Sequence, residues 1–243
     1  MKILCLESTA KVASVALLRD GETLAESTVH GGGRSHSELL LPMLRAVLAS
    51  TGTTPEDVDL FACAAGPGSF TGVRIGVSVI KGLAFGRERP CCAVSSLEAL
   101  AEILTPMEAL ICPVMDARRA QVYNALFEGS ADGPRRLTPD RAIAADELAA
   151  ELNAAYPGRP VALVGDGTEV AKAALLRAGV PILTLPRMTE PQSAAAVGRC
   201  AYRMALRGES MSDDALRPVY LRMPQAERER LARLAAEGST ENQ

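Results

Sequence analysis

The feature that most constrains the fold is an order of predicted strands and helices that occurs twice along the 243 residues. The first half opens with a short apolar segment and two further strand-like segments, joined by Asp20-Gly21, a pair typical of two-residue hairpin turns. Apolar periodicity then predicts helices that alternate with strands. The predicted elements of this half are Lys2–Leu6, Val12–Arg19, Glu22–His30, His36–Ala49, Leu60–Ala65, Phe70–Gly86, Pro90–Val94 and Leu97–Leu104. The order is therefore βββαβαβα.

The second half repeats this order. Its predicted elements are Leu110–Met115, Gln121–Phe127, Arg136–Thr138, Asp146–Asn153, Val161–Val164, Thr168–Ala178, Ile182–Leu185 and Ser193–Leu206. Two α/β units of this ribonuclease H-like order describe the two-lobed architecture of actin, Hsp70 and the sugar kinases. We expect a first lobe at 1–105 and a second at 106–224, whose helix at 193–206 can pack back on the first. A charged tail at 225–243, helical or disordered, follows.

Composition argues against several classes of protein. No apolar run reaches the roughly 18 residues that a membrane-spanning helix needs, and Met1-Lys2 leads into a strand without a signal-peptide pattern. We therefore expect a cytoplasmic protein. The six cysteines form no CxxC pair, which indicates buried thiols rather than disulfides or zinc. The formal net charge is −3 and aromatic residues make up 3%, so the chain lacks the basic and aromatic surface typical of a protein that binds nucleic acid by itself.

The segment Ala65–Gly76 predicts a strand, a sharp turn and a helix, because Gly66-Pro67-Gly68 follows an apolar run. Glycine permits backbone angles that other residues resist, and a helix start offers free N–H groups to an anion or a partner. No Lys-Ser or Lys-Thr follows a glycine, so the segment is not a P-loop. A plain turn without a ligand is the alternative interpretation.

From Gly66 to Leu100 the chain resembles the TsaB (YeaZ) family closely, and Pro218-x-Tyr220-Leu221-Arg222 is a second similar segment. The resemblance covers most of residues 1–222. Proteins of this family are non-catalytic partners of TsaD, their catalytic paralogue, in the synthesis of threonylcarbamoyladenosine on tRNA. The resemblance therefore implies an accessory subunit, with a TsaD-like protein and a TsaE-like P-loop ATPase as its partners.

The resemblance also implies that the metal site of the paralogue is missing here. TsaD carries two metal-binding histidines in a His-x-x-x-His pattern where this chain has Ser96 and Leu100. Leucine has no lone pair to offer, and neutral serine is a poor ligand compared with imidazole. The two histidines, His30 and His36, do not form an HExxH pattern, and we interpret His36 as opening a helix. We therefore expect no catalytic residue, no metal and no cofactor, and we disfavour a metallopeptidase.

Nucleotide-using proteins of this architecture place an acidic residue after the first strand of each lobe. Glu7 and Asp116 stand there, although TsaB proteins usually have Asp at the first position. With Ser8 and Thr9 they are the candidates for a nucleotide cleft. The segment Asp116-Ala117-Arg118-Arg119 fits either an anion site or an ion pair that pins a hairpin. An ATP-dependent small-molecule kinase or acyltransferase is the alternative function.

The helices at 36–49 and 70–86 carry more apolar surface than one sheet can cover. We interpret this surface as the site that meets the paralogue, or a second copy of the chain when it is alone. Glycines on the second helix would let a partner helix come close, whereas a core helix covered on all sides is the alternative. Pro42 either kinks the first helix or marks its start. The predicted contact residues are Leu40, Leu41, Leu44, Leu48, Gly72, Ile75, Gly76, Val79 and Leu83.

Overall fold

The computed structural model describes residues 1–30, 33–105, 107–183, 185 and 192–222. The predicted tail at 225–243 lies outside these residues. The elements of the first half are β1 (Lys2–Glu7), β2 (Val12–Arg19), β3 (Glu22–His30), α1 (His36–Ser50), β4 (Leu60–Gly66), α2 (Phe70–Ala84), β5 (Cys91–Ser95) and α3 (Ser96–Glu102). Those of the second half are β6 (Leu110–Asp116), β7 (Gln121–Asn124), β8 (Phe127–Glu128), β9 (Arg135–Arg136), β10 (Arg141–Ala144), α4 (Ala145–Ala155), β11 (Val161–Val164), α5 (Thr168–Arg177) and α6 (Ala194–Leu206).

The first sheet has the strand order β3-β2-β1-β4-β5 and is covered on both faces. Along β1, Leu4 and Leu6 pack in a cluster with residues of α1 and α2. Their neighbours Ile3 and Cys5 point the other way and pack in a cluster with residues of α6. Because successive side chains of a strand face opposite sides, a strand buried on both faces reads as a continuous apolar run, as β1 does.

The second sheet repeats this arrangement around β6. Strands β7 and β8 pair with β6 antiparallel, β10 pairs with β7, and β11 pairs with β6 in parallel, as β4 pairs with β1. The predicted two-lobed α/β fold is confirmed. The predicted strand at 182–185 is represented by a bridge between Ile182 and Val161, and Thr184 lies outside the described residues.

Two predictions in the second half were wrong. The third strand of the repeat is β10, not the segment 136–138, of which Arg136 belongs to the two-residue strand β9. The predicted strand 121–127 is interrupted between β7 and β8, although both pair with β6 in the same register. Opposite the break stands Pro113, which has no N–H to donate to the ladder. The side-chain amide of Asn124 donates a hydrogen bond to the carbonyl oxygen of Pro113 at 3.1 Å.

Helix α1 begins before Pro42, so this proline lies inside the helix and does not start it. Helix α1 begins at His36, as predicted, and Ser35 is its N-cap residue. Glu38 accepts a hydrogen bond from the backbone N–H of Ser35 at 2.7 Å, which satisfies a donor at the helix start. His36 is held through its Nε2–H, which donates to the carbonyl oxygen of Val12 on β2 at 3.1 Å.

Two segments from the end of the chain return to the first sheet. Helix α6 packs on β1, β2 and β4, and its Arg199 pairs with the buried Glu102 of α3 at 2.8 Å. Residues 211–222, which we call the C-terminal strap, begin with an antiparallel bridge between Met211 and Cys91 of β5. The strap continues to Val219, whose N–H donates to the carbonyl of Ala65 at 2.7 Å. The boundary between the lobes near residue 105 stays a prediction.

Candidate functional site

The Gly66-Pro67-Gly68 turn is fixed by two other segments of the chain. Ser69 donates its N–H to the carbonyl oxygen of Thr9 in the β1–β2 turn at 2.7 Å. Gly66 and Gly68 have φ angles of 119° and 158°. A Cβ on Gly66 would collide with the carbonyl of Val219, and one on Gly68 with that of Thr9. Glycine is thus needed at both positions to let the β1–β2 turn and the C-terminal strap approach.

The glycines of α2 have the same role, and here the sequence-based interpretation needs a correction. Ser8 donates its hydroxyl to the carbonyl of Gly72 at 2.9 Å. A Cβ on Gly72 would overlap the Ser8 carbonyl, and one on Gly76 would lie 2.5 Å from the Ser8 hydroxyl oxygen. The space beside Gly72 and Gly76 is therefore filled by the chain's own β1–β2 turn and is not open to a partner helix.

Glu7, the last residue of β1, is buried and accepts hydrogen bonds from the β1–β2 turn. Its Oε1 accepts the N–H and the hydroxyl of Thr9, each at 2.6 Å. Burial raises the pKa of Glu7 to about 7, although these hydrogen bonds act in the opposite direction. Glu7 and Ser8 are thus engaged inside the fold, and neither lines the cleft between the two sheets.

That cleft has a volume of about 570 Å³ and lies between the two sheets and the C-terminal strap. Of the nucleotide candidates, Thr9 and Asp116 line it. The remaining lining comes from the β1–β2 turn, the Gly66-Pro67-Gly68 turn, the first residues of α1 and α2, strand β7, the ends of β6 and β11, and the strap. Those further lining residues are Ala10, Lys11, His36, Pro67, Gly68, Ser69, Phe70, Met115, Ala117, Arg118, Tyr123, Asp166, Val219, Tyr220, Leu221 and Arg222.

The sequence did not decide whether the turn after β6 is an anion site or holds an ion pair. The structure contains an ion pair in this turn. The carboxylate of Asp116 accepts the N–H of Arg118 at 2.7 Å and lies 3.6 Å from its guanidinium. Arg118, Arg119 and Ala120 all have positive φ angles, of 67°, 55° and 55°. Such angles are costly for residues with a side chain, and they often mark functional segments. The turn thus presents the exposed side chain of Arg118 to the cleft.

Ser96 and Leu100, which the sequence analysis predicted to replace the paralogue's two histidines, are packed inside the protein. Each side chain is 2% exposed. Leu100 belongs to an apolar cluster that includes Ile111, Met115 and Phe127 of the second lobe. The Ser96 hydroxyl has no hydrogen-bond partner within the described residues. Among all the residues that the structure describes, no group of three His, Cys, Asp or Glu side chains is placed to hold a metal ion.

The predicted partner surface is smaller than the sequence suggested. Leu40, Leu44 and Leu48 are packed in the core of the first lobe, because α1 turns its wide apolar arc toward the sheet and α2. Leu41 is 48% exposed. On α2, the side chains of Ile75, Val79 and Leu83 are partly exposed at four-residue spacing, and therefore lie along one face of the helix. These four aliphatic residues form what we call the outer face.

Sequence analysis did not predict two contacts of the Phe70 ring. The rings of Phe70 and Tyr220 lie 4.7 Å apart between centroids, with 32° between their planes. The guanidinium of Arg74 lies 4.7 Å from the centre of the Phe70 ring. The Pro218-x-Tyr220 segment was visible as a motif, but only the return of the strap brings it to the start of α2.

Comparison with known proteins identifies the family. A family model described as TsaD: tRNA N6-adenosine threonylcarbamoyltransferase matches residues 24–230. The tRNA threonylcarbamoyladenosine biosynthesis protein TsaB of Escherichia coli (strain K12) is 30% identical over 230 residues, which cover 91% of this chain and 95% of that protein. The Bacillus subtilis (strain 168) protein of the same name is 34% identical over 172 residues, or 71% of this chain and 74% of that one. This chain belongs to the TsaB family.

The solved structure of YeaZ from Pseudomonas aeruginosa agrees with this assignment. It superimposes on the TsaB-family chain with a TM-score of 0.75 and 28% sequence identity, over 90% of this chain and 99% of that one. The family predicted from the motifs is therefore confirmed. In the described part of this TsaB-family chain, no helix combines the length and apolarity needed to cross a membrane.

Proposed function

We propose that the chain is a non-catalytic subunit that binds and supports a TsaD-like catalytic paralogue. The pair would transfer a threonylcarbamoyl group from threonylcarbamoyl-adenylate to the tRNA adenosine next to the anticodon. Membership of the TsaB family supports this role. The observation that carries it is the burial of Ser96 and Leu100, the two residues that we predict to stand where the paralogue has its metal-binding histidines.

In this proposal the chemistry is divided among the subunits. The TsaD-like subunit supplies the metal and the transfer step, and a TsaE-like P-loop ATPase hydrolyses ATP. The chain itself meets tRNA only within the complex, since its formal net charge is −3. An independent kinase or acyltransferase is not favoured, because Glu7 and Ser8 do not line the cleft in which such chemistry would occur and are bound within the fold.

The outer face is the part of the predicted surface that remains available to the paralogue. Leu41, Ile75, Val79 and Leu83 expose aliphatic side chains on two adjacent helices, and Phe85, directly after α2, is 76% exposed. Exposed apolar side chains often mark interaction sites when they form a patch. A pseudo-symmetric contact with the equivalent helices of the paralogue would cover them, and a homodimer would do so in the isolated chain.

The test is reconstitution with the TsaD-like and TsaE-like proteins of the same organism. Unmodified tRNA is incubated with threonylcarbamoyl-adenylate, and threonylcarbamoyladenosine is measured after digestion of the tRNA to nucleosides. We expect product only when the chain and its TsaD-like partner are both present, and none with the chain alone. Product from the chain alone, or full activity without it, would contradict an accessory role.

A further inference from the structure

The C-terminal strap forms the third wall of the cleft between the two sheets. Its residues 219–222 line the cleft together with residues from both lobes. No helix or strand that the structure describes lies within the strap, so contacts with the lobes hold it in place. These contacts are distributed unequally between the first lobe and the second.

The start of the strap is part of the core of the first lobe. Met211 and Cys91 of β5 exchange two backbone hydrogen bonds, at 2.7 and 2.9 Å. Leu216 is fully buried and belongs to the same apolar cluster as residues of α1 and α2. The ammonium group of Lys81 on α2 donates to the carbonyl oxygens of Asp214 and Leu216, each at 3.3 Å. This part of the strap therefore cannot detach without opening the core.

From there the strap follows α2 back to the start of the helix. Lys81, which holds the strap at Leu216, lies in the last turn of α2. Phe70, the first residue of α2, stacks against Tyr220 of the strap, with ring centroids 4.7 Å apart. At about 100° per residue, Lys81 and Phe70 lie on one side of the helix, and Val79 of the outer face lies on the opposite side. The strap thus leaves the outer face uncovered.

The end of the strap reaches the second lobe through one side chain. The guanidinium of Arg222 donates to the carbonyl oxygen of Ala117, in the turn after β6, at 2.6 Å. In the described part of the chain, no other hydrogen bond joins the strap to the second lobe. The strap is thus tied to the first lobe at several points and to the second lobe at one.

The turn that receives Arg222 is itself held in a costly conformation. The three residues after Ala117 have φ angles of 67°, 55° and 55°. Backbone angles of this kind persist only where surrounding contacts enforce them. The hydrogen bond from Arg222 is one of those contacts, so its loss would loosen the turn as well as the strap. The joint between Arg222 and Ala117 is therefore the weakest point of this wall.

We propose that the C-terminal strap is a clasp on the cleft, which stays seated on the first lobe and is closed onto the second lobe by Arg222. With Arg222 bound to Ala117, the strap is a wall of the cleft. With that bond broken, residues 220–222 swing away, while the N–H of Val219 stays bound to the carbonyl of Ala65 at 2.7 Å. The clasp thus controls access to the cleft. It belongs to the chain itself and does not depend on the accessory role proposed above.

The experiment is hydrogen–deuterium exchange of the full chain, read residue by residue after electron-transfer fragmentation. The amides of Ala117 and Gln121 donate hydrogen bonds within the turn, at 3.0 and 3.2 Å. In Arg222→Gln they should exchange at least about tenfold faster than in the wild type, because a hydrogen bond from a charged donor is worth roughly that factor. The amide of Val219 should keep its wild-type protection, since the strap remains seated on the first lobe.

Arg217→Gln is the matched control, because Arg217 lies in the same strap but donates to the carbonyl oxygens of Asp214 and Leu216 within it. It should leave exchange of the turn unchanged. Arg222→Lys keeps a cationic donor and should restore part of the protection. Circular dichroism verifies that each variant is folded. Unchanged exchange of the turn in Arg222→Gln would overturn the proposal, and so would faster exchange of Val219, since the whole strap would then detach.

Access to the cleft is measured with a thiol placed at the joint by Ala117→Cys. Ala117 lines the cleft and is 6% exposed, and the native cysteines are all buried, so the wild type gives the background rate. Iodoacetamide should modify the introduced thiol slowly, and about tenfold faster when Arg222→Gln is added. Adding Arg217→Gln instead should leave the rate unchanged. Equal rates in the three backgrounds would show that the strap does not control access, and would overturn the proposal.

Discussion

The Ser8 hydroxyl donates a 2.9 Å hydrogen bond to the carbonyl oxygen of Gly72, and so joins the β1–β2 turn to the first turn of α2. The same turn contributes Thr9 and Lys11 to the cleft. On one side of helix α2, Gly72 and Gly76 pack against Ser8 of the same chain. On another side, Ile75, Val79 and Leu83 are partly exposed to solvent. The stability of the fold and the binding of a partner depend on different faces of this helix.

Gly72→Ala should destabilise the fold, because its Cβ would overlap the backbone carbonyl of Ser8, which cannot move without displacing β1. We expect a loss of about 1–3 kcal/mol in the free energy of unfolding, measured by chemical denaturation. Gly82→Ala on the same helix is the control. Nothing lies within 4 Å of its added Cβ, so it should raise stability by about 0.5–1 kcal/mol. Equal stabilities of the two variants would contradict the packing described here.

Leu41→Glu and Val79→Glu should weaken copurification with the TsaD-like partner by about tenfold or more, because a charge would be buried without a counter-ion in the contact. Leu176→Glu on α5 serves as the control, since Leu176 is an exposed leucine away from the outer face. It should copurify like the wild type. If the two outer-face variants are folded and still copurify fully, the interface lies elsewhere.

Glu7→Gln should change how stability depends on pH. The pKa of Glu7 is raised from 4.5 to about 7, so the folded state binds more protons than the unfolded state between these values. Stability therefore falls as pH rises through this interval, and the cost, about 3 kcal/mol at most, is complete above pH 7. Glutamine does not ionise and keeps an oxygen for Thr9. The variant should gain stability relative to the wild type between pH 5 and pH 8, measured by thermal unfolding.

Glu38→Gln should change stability at neutral pH in the opposite direction to Glu7→Gln. Hydrogen bonds from Ser35 lower the pKa of Glu38, so its contribution is present at neutral pH and is lost as pH falls through the lowered value. The glutamine variant should therefore lose stability relative to the wild type at neutral pH. A wild-type-like profile for Glu7→Gln would show that Glu7 is not a buried acid.

Glu102→Gln should destabilise the contact between α3 and α6. Its buried carboxylate accepts from Arg199 at 2.8 Å and from Arg203, and the amide would leave both guanidiniums without their counter-ion. Because both arginines are partly exposed, we expect a loss of about 1–3 kcal/mol in urea unfolding. Glu209→Gln, which removes the exposed partner of Arg207, should change stability by less than about 0.5 kcal/mol. Equal effects would indicate that the Glu102 pair is no more buried than a surface pair.

The purified chain should bind tRNA weakly at physiological salt. Its formal net charge is −3, and phosphate contacts by clustered lysine and arginine supply most of the affinity of RNA-binding surfaces. A mobility-shift assay with the chain alone should give a dissociation constant above the micromolar range. Submicromolar binding without other subunits would contradict the assignment of tRNA contacts to the complex.

Local patterns predicted the first half of the chain well. The bounds of β2 and β3 follow from Asp20-Gly21 and the strand-like segments beside it, and those of α1 and α2 from apolar periodicity. In the second half, β10 carries no such signal, because its pairing with β7 is set by the return of the chain rather than by its own residues. The break opposite Pro113 likewise depends on which strand lies beside it.

The site was harder to predict than the fold, since it depends on distant contacts. A glycine in a helix shows that something approaches closely, but only the structure shows that Ser8, and not a partner, approaches Gly72. The wide apolar arc of α1 suggested an excess of surface, yet most of it is buried by the chain itself. The pairing of Phe70 with Tyr220 joins segments from opposite ends of the described chain. No local pattern contains it.

The late return of α6 has a consequence during translation. The face of the first sheet formed by Ile3, Cys5 and Leu60 is covered by residues from Ala194 onward. While the chain is being made, this face leaves the ribosome long before its cover. The nascent protein therefore exposes an apolar sheet throughout synthesis of the second lobe. A fragment that stops at the predicted lobe boundary would keep it exposed permanently, so expression of the first lobe alone calls for a chaperone or a supplied α6 peptide.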